Sequence, residues 1–126
     1  MTHAYDVFDD RCPTRQVLAR IADKWALLIL DHLSRGPARF SALRRAIRGV
    51  SHKVLSQTLK KLERDGLVSR KAFPTVPVTV EYALTPLGTT LTEAVAQLAH
   101  WSEANMDAIA DAQRRYDARA GAPTDR

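Results

Sequence analysis

The chain has 126 residues, of which 45% are hydrophobic and 26% are charged, and this length and composition suit one globular domain. No apolar run is long enough to span a membrane, and the first residues lack the basic and apolar regions of a signal peptide. We therefore expect a cytoplasmic protein without membrane association. A single cysteine fits this compartment and excludes an intrachain disulfide.

The net charge of +5 is unevenly distributed along the chain. Residues 36–80 carry ten lysines and arginines against two acids, a net charge of +8, so the rest of the chain sums to −3. Neutralisation of phosphates supplies most of the non-specific affinity of proteins for nucleic acid. A basic middle between mildly acidic ends therefore indicates a surface that binds nucleic acid.

The predicted elements begin with a flexible tail over residues 1–11, which are largely polar and acidic. A first helix is predicted to open at Cys12 and Pro13, because proline is favoured at the first helical position and apolar residues follow at helical spacing. Asp23 can cap a second helix over residues 24–33. The apolar residues of that helix run nearly all the way round it, so it must be covered on more than one side.

A third and a fourth helix form a predicted helix-turn-helix. The third helix, residues 40–47, has Phe40, Leu43 and Ile47 on its inner side, and Gly49 ends it. Only three residues separate Ile47 from the cap of the fourth helix. Two helices joined by a tight turn that contains glycine, with the second helix basic on its outer face, are typical of this motif.

The fourth helix is predicted to begin at the cap Ser51 and to end at Gly66, which can take the left-handed conformation of a helix C-terminus. Five residues recur at steps of three and four and make a stripe that faces a core: Val54, Leu55, Thr58, Leu59 and Leu62. The opposite face is rich in hydrogen-bond donors and almost free of acids: His52, Lys53, Ser56, Gln57, Lys60, Lys61 and Arg64.

Base contacts are predicted for Lys53, Ser56 and Gln57 in the first two turns of this helix, because glutamine can form two hydrogen bonds with adenine. Ser51 and His52 at its start are further candidates for DNA contact. Phosphate contacts are predicted for a second group: Arg39, Arg44, Lys60, Arg70 and Lys71. The alternative for all of these side chains is a solvated basic surface that binds no ligand.

After Gly66 the sequence changes from a helical to a strand pattern. Residues 67–73 and 79–84 are predicted strands, on their β-branched and aromatic content. Residues 74–78 contain two prolines, which make them too rigid and too poor in donors for a strand interior, so they should form the loop of a hairpin. A hairpin directly after a DNA-reading helix would be the wing of a winged helix.

The last helix is predicted to begin at Thr85 and Pro86, a cap followed by proline, and to run for about 30 residues. A helix of that length projects beyond a small domain, and a symmetric homodimer is the commonest way to cover its apolar stripe. The predicted interface residues lie along it: Leu91, Val95, Leu98, Trp101 and Ile109. Residues 120–126 are expected to form a disordered tail.

Seven short stretches follow one another in a specific order and spacing: Cys12-Pro, Lys24-Trp-Ala-Leu-Leu-Ile-Leu, Arg39-Phe-Ser-Ala-Leu, Val50-Ser-His-Lys-Val-Leu, Leu62-Glu-Arg-Asp-Gly-Leu-Val, Pro74-Thr-Val-Pro and Val80-Glu-Tyr-Ala-Leu-Thr-Pro-Leu-Gly. Together they resemble the HxlR-type winged-helix transcription regulators, relatives of the larger MarR group. The resemblance implies a homodimer with DNA-binding wings, paired through its first and last helices. Many relatives carry arginine or lysine before the Val-Glu-Tyr stretch, where this chain has Thr79.

Cys12 has two interpretations. The resemblance implies that some relatives sense oxidants or electrophiles through a cysteine near the N-terminus. A helix N-terminus with Arg11 and Arg15 close in sequence would also lower the thiol pKa, so Cys12 is a redox-sensing candidate. The alternative is a small buried packing residue. Trp25 and Trp101 are assigned to core or interface packing rather than to a ligand-binding box.

No arrangement of residues indicates catalysis, a cofactor or a metal site. The four histidines, His3, His32, His52 and His100, show no metal-ligand spacing with one another or with Cys12. A glycine-rich phosphate loop and a nucleophile-base arrangement are also missing from the sequence. Nothing in it indicates a particular small-molecule effector.

The sequence therefore predicts a mainly α fold with a small β-hairpin, in which residues 12–119 form a winged helix-turn-helix with a long C-terminal dimerisation helix. The predicted function is a bacterial-type transcription regulator that binds double-stranded DNA as a homodimer. It would occupy a pseudo-palindromic operator and so block or aid the polymerase. The alternative is a winged helix that serves as a protein-protein interaction module without binding DNA.

Overall fold

The structure, a computed structural model, describes residues 5–121, so parts of both predicted tails, residues 1–4 and 122–126, lie outside the described residues. The described chain contains α1 (Pro13–Ile21), α2 (Lys24–Leu33), β1 (Ala38–Arg39), α3 (Phe40–Ala46), α4 (His52–Arg64), β2 (Val68–Phe73), β3 (Thr79–Leu84) and α5 (Pro86–Ala120). It divides into two compact units, one that ends at Val95 and one that begins at Ala96. The order of elements confirms the predicted winged helix-turn-helix.

Two helices begin at capping residues recognised in the sequence. The Asp23 carboxylate accepts the N–H groups of Trp25 and Ala26 at the start of α2. The Ser51 hydroxyl accepts the N–H of Val54 at 3.1 Å at the start of α4. Each cap satisfies donors that the first turn of a helix leaves unpaired, and the predicted starts of α2 and α4 are confirmed.

The end of α4 and the start of α5 meet at one corner of the first unit. Gly66 ends α4 with φ at +78°, the left-handed conformation predicted for it. The Thr85 hydroxyl donates to the Gly66 carbonyl at 2.6 Å and accepts the N–H of Gly88 at 3.0 Å. A Cβ on Gly88 would lie 2.1 Å from the carbonyl oxygen of Leu67. The first turn of α5 therefore lies directly against the chain that leaves α4.

The first unit has one apolar core, to which most of its elements contribute. Its buried members are Ala26, Ile29, Leu30, Leu33, Ala38, Leu43, Ile47, Val50, Leu55, Leu59, Leu62, Leu67, Val68 and Val95. In α4 the three leucines are almost fully buried, while Val54 and Thr58 are half-buried, so the predicted stripe faces the core. In α2, predicted to be apolar nearly all round, Leu28 is 47% exposed and lies outside this core.

The wing is a three-stranded antiparallel sheet with the strand order β1-β3-β2. The predicted hairpin of β2 and β3 is confirmed, with pairs from Val68↔Leu84 to Phe73↔Thr79. The strand β1, which pairs with β3 at its other edge, was not predicted. Its two residues are too few to show the alternation by which a strand is recognised in a sequence.

Residues 5–11, expected to be a flexible tail, form hydrogen-bonded turns in the structure. The Asp6 carbonyl accepts the N–H of Asp9, and the Asp9 carbonyl accepts the N–H of Cys12. These turns lead into α1, where Pro13 occupies the first turn as predicted. The third helix ends at Ala46, one residue before its predicted end.

Candidate nucleic-acid interface

The outward face of α4 is an exposed basic surface of the helix-turn-helix. Lys53, Gln57 and Lys60 are exposed, and Ser56 between them is half-buried. Within residues 5–121 these four side chains make no ion pair and no hydrogen bond to the protein. Their donors and acceptors therefore remain available to a ligand, as base and phosphate contacts require.

Ser51 and His52, the other two candidates on this helix, are both engaged within the protein. Ser51 uses its hydroxyl oxygen as the cap acceptor, which leaves its proton free to be donated. The His52 ring lies 4.7 Å from the Phe40 ring, centroid to centroid, at an angle of 50°. This ring contact holds the start of α4 against α3.

A basic depression lies where α3 meets the start of α4. It has a volume of about 520 Å³ and is lined by Phe40, Ser41, Arg44, Arg45 and His52. Arg44 was predicted as a phosphate contact, whereas Arg45 was not singled out, although it belongs to the same run of basic residues. Two guanidinium groups beside a helix N-terminus suit a phosphate group of the DNA backbone.

The predicted phosphate contacts of the wing do not share one face of the sheet. Arg39 and Lys71 are both paired in register with Glu81, one from each side, so these three residues project from one face. Arg70 is paired with Tyr82 and projects from the opposite face. Arg70 and Lys71 therefore cannot meet the same phosphate from neighbouring positions of the strand.

The loop between β2 and β3 is apolar and carries no charge, because residues 74–78 are Pro-Thr-Val-Pro-Val. Val76 is fully exposed and Val78 is 65% exposed. The nearest wing cation, Lys71, has its ammonium nitrogen 5.1 Å from the centroid of the Phe73 ring. A cation-π contact of this kind keeps the ammonium group near the sheet rather than at the loop.

One ion pair connects α1 to the end of α4. The Arg20 guanidinium donates two hydrogen bonds to the Asp65 carboxylate, at 2.7 and 2.9 Å, and the two side chains are only 26% and 11% exposed. The hydrogen bond with Asp65 raises the pKa of Arg20. In the part of the chain that the structure describes, every other ion pair joins residues at most four positions apart. This contact could not be predicted from sequence, because 45 residues separate its partners.

Cys12 occupies the N-cap position of α1, without a capping hydrogen bond from its side chain, and is half-buried. Its sulfur lies 3.1 Å from the Thr14 hydroxyl and accepts the N–H of Asp6 at 3.4 Å. Hydrogen bonds from these two groups, that of Thr14 first, lower the pKa of the Cys12 thiol. The direction agrees with the prediction, and the backbone N–H of Thr14 at the start of α1 is one of its causes. The predicted arginines do not contribute, and Arg11 pairs with Asp9.

The predicted interface residues of the last helix fall in both units. Val95 is buried in the core of the first unit, and Leu91 packs against that core, so contacts within one chain account for their burial. In the second unit, Leu98 and Trp101 are each 57% exposed and Ile109 is half-buried. Trp25 is half-buried and packs against the core of the first unit.

Between residues 5 and 121, no three histidine, cysteine or acidic side chains converge in a way that could hold a metal ion. His3 belongs to the residues outside that range. The helices of the same range include none that is both long enough and apolar enough to cross a membrane.

The fold and the exposed basic helix define the class of protein, which is a winged helix-turn-helix. Comparison with known families narrows this class, since residues 20–110 match the HxlR-like helix-turn-helix model, and the chain belongs to that family. The HTH-type transcriptional regulator YtfH of Escherichia coli strain K12 is 49% identical over 104 residues, which are 82% of each chain. The resemblance predicted from the sequence is thereby confirmed.

Solved structures agree with this assignment. The structure of ytfH from Salmonella typhimurium is similar with a TM-score of 0.83 and 46% identity, over 89% of this chain and 99% of that one. The redox regulator HypR in its oxidized form is similar with a TM-score of 0.70 and 37% identity, over 75% of this chain and 97% of that one.

Proposed function

We propose that this protein is a transcriptional regulator that binds double-stranded DNA sequence-specifically and uses α4 to contact bases in the major groove. The observation that carries the proposal is the outward face of α4. Lys53, Gln57 and Lys60 are exposed there and have no partner among residues 5–121. These charged and amide groups are free and are held in order by a helix that follows a tight turn. Such groups suit the recognition helix of a helix-turn-helix.

The basic depression and the wing would then provide backbone contacts around this helix. Arg44 and Arg45 lie beside the start of α4, and Arg39 and Lys71 share one face of the wing. Contacts of this kind set the position of a protein on the duplex without reading its sequence. The loop of the wing, which has no charge, would add apolar rather than ionic contact.

The homodimer is part of the same proposal. Leu98 and Trp101 leave apolar surface exposed on the second unit, and a second copy of the chain is the simplest partner to cover it. A dimer would present two α4 helices to successive major grooves, about 34 to 36 Å apart, and its operator would be pseudo-palindromic.

A response to thiol oxidation is supported by two observations. The pKa of the Cys12 thiol is lowered by its hydrogen bonds, which raises the fraction of reactive thiolate at neutral pH. HypR, a structure similar to this chain, is named a redox regulator. We therefore include in the proposal that oxidation or alkylation of Cys12 changes operator affinity. Operator binding by wild type and Cys12→Ser, titrated with peroxide and then with reductant, tests this part, and an equal response of both proteins would contradict it.

The experiment that tests the main proposal is selection of bound duplexes from a random DNA pool, followed by gel-shift titration of the enriched sequence at two salt concentrations. We expect a two-fold symmetric consensus with half-sites about one helical turn apart, and affinity that falls steeply with salt. Failure to enrich any sequence, with no retention of DNA even at low salt, would favour the protein-protein interaction module instead.

A further inference from the structure

An acid lies between the two wing cations that would contact the DNA backbone. Arg39 of β1 and Lys71 of β2 are both paired in register with Glu81 of β3, the central strand, so the three side chains form a charge row across one face of the sheet. We propose that Glu81 limits the affinity of the wing for anions, so that the protein binds every DNA sequence more weakly than its cations alone would allow. The consequence for DNA rests on the proposed function, whereas the limit on anion binding rests on the charge row.

The charge row lies on the face of the sheet that is turned away from the core. On the opposite face, Val68 is buried and Tyr82 packs against the core. Arg39 and Lys71 are exposed and Glu81 is half-buried. Arg39 also directly precedes α3, whose first residue lines the basic depression. The charge row is therefore open to a ligand and adjoins the basic surface of the depression.

Glu81 is one of few acids in the basic part of the chain. Residues 36–84 contain three, of which Asp65 is paired with Arg20 and Glu63 lies on α4. Side chains directly opposite each other on neighbouring strands have Cβ atoms about 5 Å apart, so the carboxylate is close to both cations of the row. Without Glu81, this face of the sheet would carry two cations and no acid.

The carboxylate does not hold the two cations in place. In the described part of the chain, the side chains of Glu81 and Arg39 make no ion pair. The Lys71 ammonium lies 5.1 Å from the centroid of the Phe73 ring instead of pairing with the acid. A phosphate that approached the charge row would therefore be attracted by two cations and repelled by a carboxylate that is not occupied by either of them. These contacts support a limit on affinity rather than a role in positioning the cations.

Glu81→Gln tests the proposal, because it removes the charge and keeps the size of the side chain. We expect its affinity for the selected operator and for scrambled duplexes to rise by the same factor, about three-fold at low salt, and its salt dependence to become steeper. Glu93→Gln is the matched control, since it makes the same change of net charge at an exposed position of α5 outside the wing. Its affinity should remain close to that of the wild type. Thermal melting should be similar in all three proteins, which excludes a change of stability as the cause.

Three results of this titration would overturn the proposal. A fall in the affinity of Glu81→Gln for all duplexes would show that the carboxylate positions the cations. An unchanged affinity would show that the charge row does not meet DNA. An equal rise in Glu93→Gln would show that the net charge of the protein, and not the position of the acid, limits its affinity.

Combination with the two cations tests the charge row itself. If Glu81 opposes the binding of a phosphate by Arg39 and Lys71, the gain from Glu81→Gln should shrink when both cations are replaced by glutamine in the same chain. A gain of full size in the triple variant would show that the repelled phosphate lies away from the charge row and would contradict the proposal.

Heparin, a sulfated polyanion, distinguishes failure of this inference from failure of the proposed function. Glu81→Gln should elute from immobilised heparin at a higher salt concentration than the wild type and Glu93→Gln. If this order is observed but the protein binds no DNA, the charge row limits anion binding and the proposed function fails. If all three proteins elute together while the wild type binds its operator, the proposed function stands and this inference is refuted.

Discussion

Gly88 occupies a position in α5 where no side chain fits, because a Cβ would lie 2.1 Å from the Leu67 carbonyl oxygen and 3.1 Å from its carbon. Helix propensity alone would make Gly88→Ala stabilising by about 1 kcal/mol. The clash is with backbone, which cannot rotate away, so we expect the free energy of unfolding to fall by about 1 to 3 kcal/mol instead. Urea denaturation measures this change.

Gly121→Ala provides the control for this prediction, because a Cβ there would meet its nearest atom at an ordinary 3.5 Å. Its stability should remain close to that of the wild type. A Gly88→Ala protein more stable than the wild type would show that α5 does not approach Leu67 as closely as described.

Variants of the exposed residues of α4 should distinguish contacts with bases from contacts with phosphates. Gln57→Ala or Lys53→Ala should lower specific affinity by about 1 to 3 kcal/mol and relax the base preference at one position in each half-site. Lys60→Ala should weaken binding to all sequences about equally and reduce the salt dependence. Binding to the selected operator and to scrambled duplexes measures both effects, and thermal melting should be unaltered because these side chains are exposed. Unchanged DNA affinity at low salt in all three variants would refute the role of α4.

The reactivity of Cys12 should depend on its neighbour Thr14. Since the Thr14 hydroxyl contributes most to the lowered pKa of the thiol, Thr14→Val should raise that pKa and Thr14→Ser should preserve it. A lowered pKa means that the thiolate is already present at a pH where an ordinary thiol is still protonated. The measurement is the rate of alkylation by iodoacetamide as a function of pH. The pH at which this rate rises should be higher in Thr14→Val than in the wild type. Superimposable profiles would exclude this role of Thr14.

At the scale of elements, the ion pair between Arg20 and Asp65 fastens α1 to the C-terminal end of α4. Removing one partner leaves the other charge partly buried without a counterion, so Arg20→Ala and Asp65→Ala should each lower the melting temperature. Because both lose the same contact, the double variant should melt little below either single one. Arg11→Ala, which breaks an exposed pair with Asp9, serves as the control and should melt like the wild type. Additive effects in the double variant would show that the two side chains do not act as a pair.

Helix starts could be predicted because the residues that fix them are close together in sequence. Asp23 and Ser51 each accept an N–H group two or three residues ahead, and such caps are visible in a short stretch of chain. The apolar stripe of α4 could also be predicted, because burial of its leucines follows from the helical period alone. By contrast, β1 is defined by pairing with β3 more than forty residues later, and two residues show no period of their own.

Some features of the candidate site could likewise be predicted from sequence, and others could not. The donor-rich face of α4 follows from the positions of Lys53 and Gln57 on one helix, so it could be predicted from sequence. A cavity of about 300 Å³ between α1, α2 and α4 could not be predicted from sequence. Its lining comes from three helices, and the pattern of one helix does not indicate how the three pack together. The opposite directions of Arg70 and Lys71 follow from the alternation of side chains along any strand. The pairing of Arg39 and Lys71 with Glu81 depends on the register of the sheet, which side-chain type alone does not indicate.

At the scale of the whole molecule, the proposed homodimer depends on the exposed apolar residues of the second unit. Leu98→Glu combined with Trp101→Glu should produce a monomer, because two charges would have to be buried in the interface. Analytical ultracentrifugation measures the change of mass, and affinity for a palindromic operator should fall at least about ten-fold as the second half-site is lost. Gln97→Glu adds a charge at an exposed polar position of the same helix and should remain dimeric. A double variant that stays dimeric would place the interface elsewhere.

The separation of the two faces of α4 also affects how the choice of operator can change during evolution. Ser51, Leu55, Leu59 and Leu62 hold the helix in place, while Lys53 and Gln57 have no role in holding it within the described chain. Substitutions on the outward face should therefore be nearly neutral for folding, so duplicated copies of the gene could acquire new operators through a few such changes. Because stability would not oppose these changes, mutational drift of operator choice should be limited by the DNA sites themselves rather than by the fold.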